Sequence, residues 1–76
     1  MEFSHFITHF AELFEEMGVD DFSPDTNFRD NDEWCSMLAL SVMAMVDEEY
    51  DVQLTANEMR KAETIQDLFD IVSSHQ

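Results

Sequence analysis

The sequence is poor in the residues that make turns and disulfides. Its 76 residues include one glycine, one proline and one cysteine. So few turn-forming residues leave little material for β-hairpins, and no alternating run of valine, isoleucine and threonine appears, so we expect an all-α fold. A single cysteine cannot form an internal disulfide, and nothing therefore indicates an oxidising compartment.

We expect neither a targeting segment nor a membrane-spanning segment in this sequence. The stretch MEFSHFITHF has neither a basic region nor a small-residue cleavage site. The apolar run from Trp34 to Val46, interrupted only by Ser36 and Ser41, falls short of the roughly 20 residues that span a bilayer. We therefore predict a cytoplasmic protein without membrane insertion.

Basic residues are scarce, with three lysines and arginines against eighteen aspartates and glutamates and a formal net charge of −15. Such a surface repels nucleic acid and anionic membranes and attracts basic partner proteins, although the same acidity would also serve solubility alone. Arg60 and Lys61 are too few for a nucleic-acid patch. At this length, an apolar fraction of 45% supports one packed domain over residues 1–76.

The spacing of apolar residues and the capping signals predict three main helices and one short helix. Apolar residues at steps of three and four predict a first helix over residues 3 to 17, with Gly18 as its terminator. A second helix is predicted from Ser36 to Tyr50. The motifs TANE and TIQD, which start at Thr55 and Thr64, are typical of capping boxes and open the short third helix and the fourth helix.

Residues 18 to 35 are predicted to form a long loop, because turn-forming residues dominate it and Pro24 cannot lie inside a helix. A structureless loop of this length is uncommon unless it is packed or functional. We therefore expect its apolar residues to pack across the helices: Val19, Phe22, Phe28 and Trp34.

The second predicted helix is apolar on more than one face. One stripe suffices for packing on the other helices: Ala39, Val42, Met43, Val46 and Tyr50. Other apolar residues remain, and the rest of the chain is too short to cover all of them: Met37, Leu38, Leu40, Ala44 and Met45. We expect part of this second set to face water beside Asp47, Glu48 and Glu49 as a protein-binding surface, unless loop 18–35 covers it.

The second half of the sequence resembles an acyl carrier protein. The residues that carry the resemblance are CSMLALSVMAMVDEEYDVQLTANEMRKAETIQDLFDIV. In that family an Asp-Ser-Leu motif opens helix two, an acidic run and an aromatic residue end it, and a short helix and a threonine-started helix follow. Without gaps, Ser36 falls on the modified serine of the family and Met37 on its leucine. The similarity covers residues 28 to 72 in detail.

The resemblance implies a monomeric, non-enzymatic four-helix bundle that carries covalent 4′-phosphopantetheine on Ser36, installed from coenzyme A by a phosphopantetheinyl transferase. Its thiol would hold an acyl group as a thioester for acyl-transferring or condensing enzymes of fatty acid, polyketide or related biosynthesis. A phosphodiester at a helix N-terminus also makes physical sense, because unpaired N–H groups and the helix dipole favour it. The predicted docking residues for basic surfaces of these enzymes are Met37, Leu40, Ala44, Asp47 and Glu48.

Two departures from the family pattern keep alternatives open. Cys35 replaces the aspartate and is a poor helix cap, and Leu38 stands where an acidic residue is common. The chain could therefore be a carrier-like interaction module that never receives the cofactor. A metal- or redox-responsive domain that uses Cys35, or His5 and His9, is a weaker alternative, because neither a base beside the cysteine nor a third strong metal ligand is predicted.

Overall fold

The computed structural model describes residues 2–15 and 17–76, and these residues form four α-helices. The helices are α1 (Phe3–Ala11), α2 (Ser36–Tyr50), α3 (Ala56–Lys61) and α4 (Ile65–Ser74). Two 3₁₀ turns, Val19–Asp21 and Phe28–Asp30, lie in the connection between α1 and α2. Within the described ranges no β-strand forms, so the predicted all-α class is confirmed.

The starts of α3 and α4 follow from the two capping boxes that the sequence predicts. The Thr55 hydroxyl accepts from the Glu58 N–H at 3.2 Å, and the Glu58 carboxylate accepts from the Thr55 N–H at 3.0 Å. Thr64 and Asp67 repeat this arrangement, with distances of 3.1 and 3.2 Å. The backbone N–H groups of Glu63 and Thr64 that bond to Asp67 hold the pKa of this carboxyl below its usual range. Both predicted helix starts are therefore confirmed.

Helix α1 is shorter than the predicted helix over residues 3 to 17. After Ala11 the chain continues in tighter i→i+3 bonds, from the Leu13 N–H to the Phe10 carbonyl and from the Phe14 N–H to the Ala11 carbonyl. This change of path accompanies the burial of Phe14 against ring systems of the following loop. Gly18 is not the helix terminator; its N–H bonds to Asp21 at the first 3₁₀ turn, and position 16 lies outside the described residues.

The core is rich in aromatic side chains that connect α1 to the loop. The Phe10 ring lies 5.7 Å from Phe22 and 5.6 Å from Phe28, and the Phe28 ring lies 4.7 Å from Trp34, all between ring centroids. Such edge-to-face pairs add about 0.5–1.5 kcal/mol each beyond the burial of apolar area. The largest completely buried side chains come from α1, α2, α4 and the loop: Phe6, Phe10, Phe28, Val42, Val46, Ile65, Leu68 and Val72.

The long loop is packed against the helices, as predicted for Phe22, Phe28 and Trp34. Phe22 and Phe28 are buried, and Trp34 is half-buried against the core. The prediction for Val19 is wrong, because this side chain is 41% exposed. The aromatic residues of the loop therefore attach it to the core.

Hydrogen bonds join the same loop to α3 and α4. The N–H groups of Ile65 and Gln66 donate to the carbonyls of Thr26 and Pro24 at 3.2 and 3.0 Å, beside an isolated β-bridge between Asn27 and Thr64. The Arg29 guanidinium donates to the Ala62 carbonyl at 2.8 Å and to the Met59 carbonyl. The loop thereby fixes the position of α3 relative to the start of α2. No helix in the described part of the chain has the length and apolar character that crossing a membrane requires.

Candidate functional site

Ser36 is the first residue of α2 and is exposed. The preceding residue, Cys35, is extended, with φ −156° and ψ 174°, and its carbonyl accepts the first helical bond from the Ala39 N–H at 3.0 Å. The Cys35 side chain makes no capping hydrogen bond. The first N–H groups of α2 consequently lack the side-chain acceptor that a good cap would supply.

The electrostatics at this helix end favour an anion. The 15 residues of α2 align their peptide dipoles, which amounts to roughly half a positive charge near Ser36. The first turn of α2 carries no acidic side chain to neutralise it. A negatively charged group on the Ser36 hydroxyl would therefore meet unpaired N–H donors and a favourable dipole.

The start of α2 is held in place by the loop that precedes it. The Trp34 N–H donates to the Asn31 carbonyl at 3.0 Å, and the Glu33 N–H donates to the Asn31 side-chain oxygen at 2.8 Å. The Trp34 indole packs on Phe28 and stacks with Phe14 at 6.5 Å between centroids. The prediction that Trp34 anchors the loop to the core is thus confirmed, and this anchor sets where Ser36 is presented.

The predicted docking residues lie on a single exposed stripe of α2. Met37 is 76% exposed and Leu40 is 65% exposed, so the loop does not cover this face. Ala44, Asp47 and Glu48 are exposed as well and continue the stripe at helical spacing. The stripe runs away from Ser36 for about 18 Å, at 1.5 Å per residue, and changes from apolar to acidic.

Two apolar side chains of the predicted exposed set lie elsewhere. Met45 is buried in the core beside Val42 and Val46, and Leu38 is half-buried. The buried face of α2 is therefore wider than the predicted stripe and includes Met45 and part of Leu38. The prediction that part of the set faces water is confirmed for Met37, Leu40 and Ala44.

Two grooves that the sequence did not predict flank the start of α2. We call the first the acidic groove; its volume is about 350 Å³, and it is lined by Leu13, Glu15, Glu33, Cys35, Met37, Leu38 and Ser41. We call the second the arginine groove; its volume is about 330 Å³, and it is lined by Arg29, Trp34, Ser36, Ala39, Leu40, Met43, Ala56, Met59 and Arg60. The helical spacing of Ser36, Ala39, Leu40 and Met43 could have indicated one wall, but the position of Arg29 depends on tertiary contacts.

The histidines pair with carboxylates and do not gather into a metal site. His5 lies 3.9 Å from Glu2, and His9 lies 3.8 Å from Glu49 of α2. His75 forms a hydrogen bond with the Glu58 carboxylate. This bond and the bond from the Thr55 N–H hold the pKa of the Glu58 carboxyl below its ordinary value. Across residues 2–15 and 17–76, no three histidine, cysteine, aspartate or glutamate side chains are placed to share a metal ion.

Comparison of the chain with protein-family models and with curated proteins gives no match to either. The functional interpretation therefore depends on the residues of the site themselves.

Proposed function

We propose that this protein is a carrier of the acyl carrier protein type, with Ser36 as the attachment point of 4′-phosphopantetheine. The observation that carries the proposal is the exposure of Ser36 as the first residue of α2, directly beside the exposed Met37 and Leu40. The order of a long loop, a long helix, a short helix and a capped last helix agrees with the four-helix bundle that the resemblance implies.

The residues present fit the proposed group. A serine hydroxyl in an exposed position can enter the active site of a transferase, whereas a buried one cannot. The phosphodiester would lie at the uncapped N-terminus of α2, where backbone N–H groups and the helix dipole stabilise negative charge. When bound, the group supplies a thiol that holds an acyl cargo as a thioester.

The exposed stripe of α2 supports a role in docking enzymes. Met37 and Leu40 offer flexible apolar contacts beside the proposed attachment point, and methionine adapts to several partners. Asp47 and Glu48 at the other end of the stripe suit basic surfaces and would speed encounter by electrostatic attraction. The chain itself would contribute presentation and recognition, and the partner enzymes would perform the chemistry.

The intact mass of the protein tests the proposal. The wild type is incubated with coenzyme A and a phosphopantetheinyl transferase of broad specificity, beside Ser36→Ala and Ser41→Ala. We expect a gain of one phosphopantetheine in the wild type and in Ser41→Ala, but none in Ser36→Ala. Ser41 is a matched control because it also lies on α2, where its hydroxyl donates to the Met37 carbonyl at 3.1 Å.

A second candidate function is an interaction module of the same fold that is never modified. The poor cap favours it, since Cys35 makes no side-chain hydrogen bond where the family has an aspartate. This candidate predicts no gain of mass with any transferase, including that of the host, while the circular dichroism spectrum remains helical. In that event the exposed stripe would bind a partner without a tethered cargo.

A further inference from the structure

The arginine groove concentrates positive charge in a strongly acidic protein. The whole chain has three lysines and arginines against eighteen acids, yet Arg29 and Arg60 both line this one groove. Among the described residues that line it, none is acidic. A groove of this charge in such a protein favours an anionic ligand over a neutral or cationic one.

The rest of the groove is apolar and begins at Ser36. Ala39, Leu40 and Met43 continue from Ser36 along one side of α2, and Met59 of α3 lies in the opposite wall. Trp34 adds an aromatic surface near the start of the helix. A volume of about 330 Å³ lies at the lower end of the range for small-molecule sites, so the groove suits a short chain.

The other groove beside the start of α2 has the opposite electrostatic character. Its lining includes the carboxylates of Glu15 and Glu33 and none of the three basic residues. A flexible arm on Ser36 would therefore meet two surfaces of similar size and different charge. An anionic end group would be repelled by the acidic groove and attracted by the arginine groove.

We propose that the arginine groove binds an acyl cargo that ends in a carboxylate, with the chain along Ala39, Met43 and Met59 and the carboxylate at Arg60. This inference rests on the proposed function, because the cargo reaches the groove from Ser36. It names the cargo as a dicarboxylic acyl group in place of a simple fatty acyl group.

The two arginines have different roles in the groove. Arg29 is a positioning residue, since its guanidinium donates to the carbonyls of Met59 and Ala62 and fixes the end of α3. Arg60 is exposed and donates through one nitrogen to the Asn57 side chain at 2.5 Å, which leaves further N–H donors for a carboxylate. Arg60 is therefore the residue to test, because replacing Arg29 would also disturb α3.

The test uses the protein loaded at Ser36 from two coenzyme A thioesters with the same eight-carbon acyl chain. One carries an octanedioyl group with a free carboxylate, and the other carries the methyl ester of the same group. The readout is the chemical shift of the Met43 and Met59 methyl groups relative to the protein that carries phosphopantetheine alone. We expect larger shifts with the free carboxylate, because an exposed ion pair raises the equilibrium constant for occupancy of the groove by roughly two- to fivefold.

Two variants with the same change of charge separate the groove from general electrostatics. Arg60→Gln should reduce the shifts of the free carboxylate to those of the methyl ester. Lys61→Gln should leave the difference between the cargoes in place, because Lys61 lies on α3 outside the lining of the groove. High salt should reduce the preference in the wild type, since exposed charges are screened.

Three outcomes would overturn this inference or its basis. Equal shifts for the two cargoes in the wild type would show that the arginines do not select a carboxylate. The chemical shifts of Arg60 could also change already with phosphopantetheine alone and change no further with cargo. That outcome would assign the groove to the phosphodiester. Failure of loading from coenzyme A itself, seen in the intact mass with every transferase including that of the host, would refute the proposed function and remove this inference with it.

Discussion

Replacement of Cys35 by a good capping residue should stabilise the protein. Cys35 has the extended backbone of an N-cap residue but makes no capping hydrogen bond, and its side chain is exposed. An aspartate or asparagine in the same conformation can accept a hydrogen bond from an N–H of the first turn of α2. The loss of the exposed thiol should cost little, because no buried contact is removed.

The expected gain for Cys35→Asn is about 1 kcal/mol in the free energy of unfolding, the typical worth of an N-cap. For a domain of this size such a gain raises Tm by about 4–8 °C. Cys35→Asp adds a favourable interaction with the helix dipole of about 0.3–1 kcal/mol. It also lies beside the acidic groove with Glu33 and takes the net charge from −15 to −16, so part of that interaction is offset by repulsion.

Urea unfolding followed by circular dichroism measures this effect, with Cys35→Ala as the control without a cap. If the asparagine and aspartate variants both have the same free energy of unfolding as Cys35→Ala, the account of α2 as an uncapped helix is refuted. The same variants probe the proposed function through the rate of modification of Ser36. Faster modification of the aspartate variant alone would indicate that the transferase reads a charge, and faster modification of both would indicate a requirement for an ordered helix start.

Two further predictions concern the loop and the pH dependence. Phe28→Ala should destabilise the protein by about 3–5 kcal/mol, because it removes a completely buried ring, whereas Val19→Ala in the same loop should cost less than about 0.5 kcal/mol in urea unfolding. Hydrogen bonds from His75 and from the Thr55 N–H lower the pKa of the Glu58 carboxyl from its ordinary value of 4.5. The ionised carboxylate therefore stabilises the folded protein fully above that pH, and this stabilisation is lost as the pH falls through the lowered pKa. Glutamine at position 58 can still form the capping box, so Glu58→Gln removes only the titration of the carboxyl. This variant should therefore lose less Tm than the wild type as the pH falls below 4.5. An equal effect of Glu12→Gln would contradict the assignment to Glu58.

Local signals in the sequence predicted α2, α3 and α4 well. The capping boxes at Thr55 and Thr64 act within three residues, so their hydrogen bonds depend little on the rest of the chain. The exposed stripe of α2 was also predictable, because residues at helical spacing share one face wherever the helix lies. The exposure of Met37 and Leu40, at the start of that stripe, could be predicted from this periodicity and from the short length of the chain.

Features that depend on distant residues were not predictable in this way. The apolar spacing up to Met17 indicates a helix, but Phe14 leaves that path and packs with Phe22 and Trp34, so α1 ends at Ala11. The burial of Met45 likewise depends on which neighbours surround α2. In both cases the burial of apolar area against another segment outweighs a local helical preference of a few tenths of a kcal/mol per residue.

The sequence by itself determined the helical class, the starts of three helices and the position of Ser36 at the first turn of α2. These features follow from hydrogen bonds and periodicity within a few neighbouring residues. Tertiary structure alone decided the charge of the surfaces beside Ser36. Arg29 and Arg60 are 31 positions apart in the chain, and they line one groove because the loop that carries Arg29 bonds to the last turn of α3.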